Sequence, residues 1–533
     1  MASSSTTPRW RRALTMLRPS HSHTAFTATL LLMSSVMASR VIGLVKTKYI
    51  AYLLGRTAAA DAFNAAFQLP DMLSYFLIGG AASITFVTML TRYRDEGRDA
   101  EGARAMSVIL TTMGLVLGSA IVLAEFAAPM LVRLLLRGFE SDPAKAALCV
   151  HLTRILFPAQ LFFLAGGVFA AVLLARKQFA VQAVTPLIYN CGIIFGGVLL
   201  YRHFGVSALA VGAVAGAFCG PFLLNAIWAH RAGMHYRPIL EWNNPGLHEW
   251  VRMSIPLMLG VSLVSADNWI INYFASHTGG AVSLLTYAKQ LFNVPVALGQ
   301  AAGAASLPFL ASLYIKADRA PFSRAVNSSV SRILAFSILL TGFLIAMALP
   351  AVDVVFRGGK FHRADSGTMA VYFGVFAISL CLWSAQAIYA RAFYAAGNTL
   401  TPMIAGTIVT AVSLPIYWSL YKTVGPAGLA IASDIGILIQ TLTLAVLLHW
   451  RRMVSLGGLE YGELLRSVAA AGVVCAALAA MRHFAPTTSR IRELELLLAG
   501  AVIWVGISGA VLKLTGSALP DQLLSRFGMR KTA

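Results

Sequence analysis

Apolar residues come in long blocks along this 533-residue chain, separated by charged or Gly/Pro-containing breaks. Fourteen blocks stand out, at 25–54, 62–91, 105–132, 146–175, 180–201, 205–230, 253–276, 279–315, 325–350, 367–395, 399–421, 425–450, 461–481 and 494–514. An α-helix rises about 1.5 Å per residue, so about 20 apolar residues cross a hydrocarbon core of about 30 Å. In lipid the backbone must satisfy its own hydrogen bonds, which favours helices for such blocks. The pattern therefore predicts an all-α polytopic membrane protein with about fourteen transmembrane helices. Several blocks exceed 25 residues, so tilt or extension beyond the bilayer is expected.

The first block, AFTATLLLMSSVMASRVIGLVKTKYIAYLL, carries charge inside it. Its fifteen residues up to Ser39 cover only about 22 Å, so a span must continue through Arg40. Lys46 then lies about 9 Å further along, with Lys48 beyond it. An intramembrane arginine costs at least ~2.5–3.5 kcal/mol on insertion scales and is tolerated where it faces water, a partner or an anionic ligand. Arg40 is too deep to reach the interface easily and is expected to face a cavity. Lys48 is expected to extend its stem to the headgroup level. Lys46 fits either description.

Composition supports the membrane class. The chain is 58% hydrophobic and 12% charged, with mean hydropathy +0.73. Net charge is +21, from 42 Lys and Arg against 21 Asp and Glu. With the N-terminus cytoplasmic, 25 of the 42 basic residues fall on the cytoplasmic side and 12 on the other, as the positive-inside rule requires. Both termini are then cytoplasmic. The excess charge points to anionic lipid headgroups rather than nucleic acid. The five cysteines all lie in apolar runs without metal-ligand spacing and read as packing residues. The basic stretch 1–24 resembles the start of a signal peptide, but the long run behind it with Arg40 favours an uncleaved first helix.

The chain also repeats itself. GAASITFVTML (80–90) matches GAASLPFLASL (303–313), APMLVRLLLRGF (128–139) parallels LPAVDVVFRGGKF (349–361), QAVTP (182–186) parallels NTLTP (398–402), and GVSALAVGAVAG (205–216) parallels GPAGLAIASDIG (425–436). All offsets lie between 216 and 223. Helices 1–6 and 7–12 are thus two copies of one unit. Six spans is even, so the repeats are parallel, with a site expected between them. The implied organisation is a cytoplasmic basic tail at 1–24, an N-lobe at 25–237, a C-lobe at 238–455, and two further helices with a cytoplasmic tail at 456–533.

A parallel six-plus-six repeat with two extra helices resembles the MurJ (MviN) lipid II flippases of the multidrug/oligosaccharidyl-lipid/polysaccharide exporter superfamily. The carriers are SRVIGLVKTKYIAYLLG (39–55), AADAFNAAFQLPDML (59–73), GGAASITFVTML (79–90), APMLVRLLLRGF (128–139) and YAKQLFNVP (287–295). The resemblance implies movement of undecaprenyl-pyrophosphate-linked peptidoglycan precursor from the inner to the outer leaflet of the bacterial cytoplasmic membrane. It implies a monomer whose partners are that glycolipid and membrane lipids. It places the family's first cavity arginine on Arg40, a second on Lys46 with the planar fork lost, and the family aspartate on Asp61. The arginines expected after LPxLL are replaced by Ser74 and Tyr75, and the glutamate before GA by Gly79. The family's YADR reads YAKQ, so Gln290 stands at the arginine position and the cation is Lys289.

No nucleophile elbow, phosphate-cradling loop or metal-spaced cluster appears, which points to binding and conformational change rather than catalysis. Arg40, Lys46 and Lys289 suit a pyrophosphate dianion through charge-assisted hydrogen bonds. Asp61 reads as a residue at the N-terminus of helix 2 or as a lateral partner of Arg40 or Lys46. Asp267 and Asn272 in helix 7 and Asp434 in helix 12 are buried polar groups that need a reason. Some relatives hold a sodium ion in the second half, which implies Asp267, Asn272 and Asp434 as its ligands; the alternative is a salt bridge or interhelical hydrogen bond. No other cofactor is expected. Pro70, Gly79, Gly80, Pro295, Gly299 and Gly303 serve either as bending points or as close-packing positions. Rival readings are a flippase for another polyprenyl-linked oligosaccharide, a drug exporter of the same superfamily, and a membrane scaffold without transport.

Overall fold

A computed structural model describes residues 25–78, 82–176, 178, 180–261, 263–315, 319–485 and 489–519. The tail 1–24 and the glycines Gly79 and Gly80 lie outside the described residues. Among the described residues there are helices and turns but no strand, apart from an isolated bridge between Gly358 and Phe361.

The first half runs α1 (Ala25–Leu54), α2 (Ala58–Ala66), α3 (Gln68–Ile78), α4 (Ala82–Asp95), α5 (Asp99–Leu135), a 3-10 turn (Arg137–Ser141), α6 (Pro143–Leu156), α7 (Ala159–Ala175), α8 (Ala180–Phe204) and α9 (Ser207–Ala217). A π-helical segment (Phe218–Leu224) around Pro221 then leads into α10 (Asn225–Arg231). The second half runs α11 (Pro245–Leu259), α12 (Leu263–Ala275), α13 (Ala281–Ile315), α14 (Arg319–Ala346), α15 (Ala348–Phe356), α16 (Arg363–Ile378), α17 (Leu380–Ala395), α18 (Leu400–Val424) and α19 (Pro426–Trp450). Two more helices follow, α20 (Tyr461–Phe484) and α21 (Arg490–Leu514).

Ten of the described helices are long and apolar enough to cross a membrane, or eleven when α16 and α17, bent by 41°, count as one span. The expected number of fourteen rests on the remaining three blocks, which are helical but interrupted or charged. α1 carries Arg40, Lys46 and Lys48, the block at 62–91 is divided among α2, α3 and α4, and the block at 253–276 among α11 and α12. These are the blocks in which hydropathy competes with a charge or a backbone break.

The repeat is visible in the element boundaries. α13, α14, α16, α17, α18 and α19 begin 219–223 residues after α2, α5, α6, α7, α8 and α9. Gly205 and Gly425, before α9 and α19, both take positive φ, at 53° and 73°. Only a residue without Cβ adopts that turn at little cost.

The chain divides into two compact units, each built from separate segments. One holds residues up to 46, 66–134 and 146–259; the other holds 47–65, 135–145 and 260–533. The cuts differ from those of the sequence repeat because short connections dock by specific polar contacts. In the first unit Arg104 reaches Glu241 at 2.9 Å, Arg92 reaches Glu249 at 2.5 Å, and Phe86 stacks on Trp250. In the second, the Lys360 amide donates to the Tyr52 carbonyl at 2.9 Å and the Gly138 amide donates to Ser276 Oγ at 3.0 Å.

Within the first unit α8 and α9 cross on glycines. A Cβ on Gly196 would lie 2.5 Å from Gly212 Cα and 2.6 Å from the Ala208 carbonyl, and one on Gly192 would lie 2.5 Å from Gly216 Cα. Without a hydrophobic drive between helices in lipid, such close backbone approach supplies the packing. In the second unit the core gathers Leu310, Phe322, Val326, Ile388, Phe393, Leu444 and Leu448 from α13, α14, α17 and α19. α20 lies on α14, and Trp504 of α21 donates its indole N–H to the Leu339 carbonyl at 2.9 Å. Gly299 and Gly303 are close-packing positions: a Cβ at Gly299 would stand 2.4 Å from Ser384 Oγ, and one at Gly303 3.2 Å from the Ala387 carbonyl.

Gly196→Leu should therefore strongly destabilise the protein, since overpacking of even a few methylenes typically costs about 1–3 kcal/mol. Gly118→Ala, at a position where nothing lies within 4 Å, should leave stability unchanged or slightly higher. Thermal melting of the purified variants in detergent measures both.

Candidate functional site: intramembrane charges

In the first unit α1 runs unbroken past Arg40 and Lys46. Arg40 is exposed and Lys46 half-buried. Six residues separate them, so they sit about 9 Å apart along the axis and about 120° apart around it. The carboxylate that acts on Lys46 is Asp71, in the first turn of α3, which also acts on the Tyr189 hydroxyl of α8. Sequence reasoning quoted Asp71 within LPDML and assigned it nothing. The signal was available, because it is a carboxylate inside an apolar block, the criterion that singled out Asp267. Lys48 belongs to the second unit, where Arg490, the first residue of α21, is its charged neighbour. A helix-end neighbour suits an interfacial lysine.

Asp61 is fully buried in the second unit. Thr57 Oγ1 accepts from the Ala60 amide and starts α2, which puts Asp61 in the first turn. Its side chain then reaches the start of α13. Asp61 Oδ2 accepts from the Gly280 amide at 2.6 Å, and Oδ1 accepts from the Ser283 amide at 2.9 Å. The first amides of any helix lack intrahelical partners, and a carboxylate there also meets the positive end of the helix dipole. Asp61 was read as serving its own helix start or a neighbouring cation; the structure adds that both its oxygens cap a helix more than 200 residues away.

A second polar cluster centres on Asp267 of α12, also fully buried. Lys289 Nζ of α13 pairs with Oδ2, Tyr417 of α18 donates its hydroxyl to Oδ1, and Ser433 Oγ of α19 donates to Oδ2 at 3.0 Å. Four helices thus meet at one carboxylate. Asp434 of α19 is half-buried; its charge interacts with Asp267 and Lys289, and its Oδ1 has no hydrogen-bond partner. Gln290 follows Lys289 and is half-buried. Asn272, five residues after Asp267, is turned about 140° around α12 and does not share its face.

These positions decide how two expectations fare. Lys289 was read as a phosphate-binding cation; here its ammonium is held by Asp267. Asp267, Asn272 and Asp434 were read as sodium ligands. Both Asp267 oxygens are already engaged, one of them by an ammonium, so a second cation would be repelled. The residues present do not fit a sodium ion, and the alternative of a salt bridge with interhelical hydrogen bonds describes the cluster.

The arrangement has known counterparts. The chain superposes on the solved inward-facing conformation of a multidrug resistance MATE family transporter of the MOP superfamily, with a TM-score of 0.64 at 15% identity, covering 80% of this chain and 98% of that one. It superposes on a solved lipid II flippase MurJ in an inward closed conformation with a TM-score of 0.75 at 21% identity, covering 90% and 99%. The fold is the one these two solved structures share, a class of polytopic helical membrane proteins. Within that class, a family model described as lipid II flippase MurJ matches residues 50–497, and the chain belongs to this family. The lipid II flippase MurJ of Burkholderia cenocepacia is 30% identical over 435 residues, 79% of this chain and 83% of the relative. A probable lipid II flippase MurJ of Rhizobium meliloti is 27% identical over 514 residues, 90% and 93% of the two chains.

Asp61→Ala should lower stability by about 1–3 kcal/mol, because two buried amides lose their acceptors. Asp61→Asn should also destabilise, since its amide group would face one of the two N–H donors. Melting curves of the two variants against the wild type measure the effect, and Asp61→Asn matching wild type would show that the charge contributes nothing to capping α13.

Proposed function

We propose that this protein carries lipid II, the polyprenyl-pyrophosphate-linked peptidoglycan precursor, from the inner to the outer leaflet of the bacterial cytoplasmic membrane. The reading draws on the family match over 50–497 and on the activity for which the relatives are named. The observation in this chain that carries it is α1, one continuous, largely apolar helix that bears Arg40 and Lys46. A pyrophosphate dianion leaving water needs cationic partners, and a guanidinium offers it two parallel N–H donors. Arg40 supplies the fork and Lys46 a second charge, with Asp71 as the carboxylate that the substrate must outcompete at Lys46. The transport step is alternating access: the headgroup enters from the cytoplasmic side, the halves rearrange, and the headgroup leaves on the other side with no covalent intermediate. The polyprenyl chain remains in lipid. The protein works as a monomer with both termini cytoplasmic.

Complementation of a strain depleted of its own lipid II flippase tests this, with membrane-fraction blots to confirm insertion. Arg40→Ala should abolish rescue at normal protein levels. Removing one member of a desolvated charged pair costs about 2–5 kcal/mol, roughly 30- to several-thousand-fold in affinity. Arg40→Lys should rescue partially, because it keeps charge and loses the fork. Lys46→Arg should rescue fully. Full growth with Arg40→Ala would overturn the assignment of Arg40 as the phosphate partner.

A further inference from the structure

The Asp267 cluster has the make-up of a cation site with the cation already supplied by the chain. Asp267 is 1% exposed and lies in the apolar helix α12. An ionised carboxylate there demands a positive partner. Around it stand a phenol and a hydroxyl, from Tyr417 and Ser433. Oxygen-rich surroundings of this kind are what a hard monovalent cation requires. The position beside Oδ2 that such an ion would take belongs to Lys289 Nζ. The lysine side chain is 14% exposed, so its stem is buried against the bundle rather than extended to water.

We propose that Lys289 is a tethered cation that takes the place of a sodium ion in the second half of this protein and makes that half independent of sodium. A tethered ammonium costs nothing to recruit from the bath and cannot leave to it. The four helices α12, α13, α18 and α19 are joined whatever the ionic composition outside, and the cluster has no ion to load or release. A sodium gradient therefore cannot do work through it. The inference concerns the ion alone and does not depend on which lipid is carried.

The test reads stability, so it stands apart from complementation. Wild-type protein is melted in detergent in sodium chloride, potassium chloride and choline chloride at equal ionic strength, alongside Lys289→Met and the double variant Asp267→Asn/Lys289→Met. The wild type should melt at the same temperature in all three salts. Lys289→Met should melt several degrees lower in potassium or choline, because removal of one partner leaves a buried charge uncompensated. Sodium should raise its melting temperature saturably, as an ion entering the vacated place would. The double variant, with both charges gone, should recover most of the lost stability and ignore sodium. A wild type stabilised by sodium over potassium would overturn the proposal. So would a Lys289→Met protein that melts like wild type, or one that is destabilised but blind to sodium. If Lys289→Met cannot be purified, a double variant that is equally unrecoverable would overturn it as well.

Discussion

A charge held in hydrocarbon has no water to lean on, and the placement of the groups around the buried carboxylates of this protein follows from that. Asp267 is neutralised by Lys289 and receives two further hydrogen bonds from Tyr417 and Ser433. Asp61 is answered by two backbone amides and the positive end of α13, with Lys145 as a charged neighbour. Lys46 has Asp71 as its counter-charge. Breaking a buried pair by removing one member typically costs ~3–5 kcal/mol, whereas the intact pair adds little over an apolar replacement. Such groups are therefore poor sources of stability and strong determinants of which helices sit together.

The backbone obeys the same rule. Helix ends release amides and carbonyls that must find partners nearby. Asp61 meets the amides at the start of α13, and Ser276, just past the end of α12, accepts from the Gly138 amide. Where no side chain is spare, small residues allow close contact, as on the Gly192, Gly196, Gly212 and Gly216 crossing of α8 and α9. Breaks, caps and glycine contacts are in this sense one economy: each keeps polar backbone away from lipid.

The two kinds of intramembrane cation then divide by use. Arg40 is exposed on α1. Lys289 is consumed within its own half. On the proposed reading, the first half offers its charge to the substrate and the second spends its charge on its own cohesion.

Much of this was legible in one dimension. Block length and hydropathy determined the membrane class, the offset near 220 determined the repeat, and the shortness of the apolar stretch before Arg40 determined that a charge enters the membrane. The same logic marked Asp267 and Asp434 as groups in need of a partner, and passed over Asp71. What no pattern along the chain decided is who partners whom. Asp267 and Tyr417 are 150 residues apart, Asp267 and Ser433 166, and Asp61 and Ser283 222. A repeat says which positions correspond, not which ones touch. Contact depends on how far each helix is rotated about its axis, and a helix that is apolar all round carries almost no hydrophobic signal of that rotation. The rotation is set by packing and by the buried charges themselves, so it exists only once the helices are assembled.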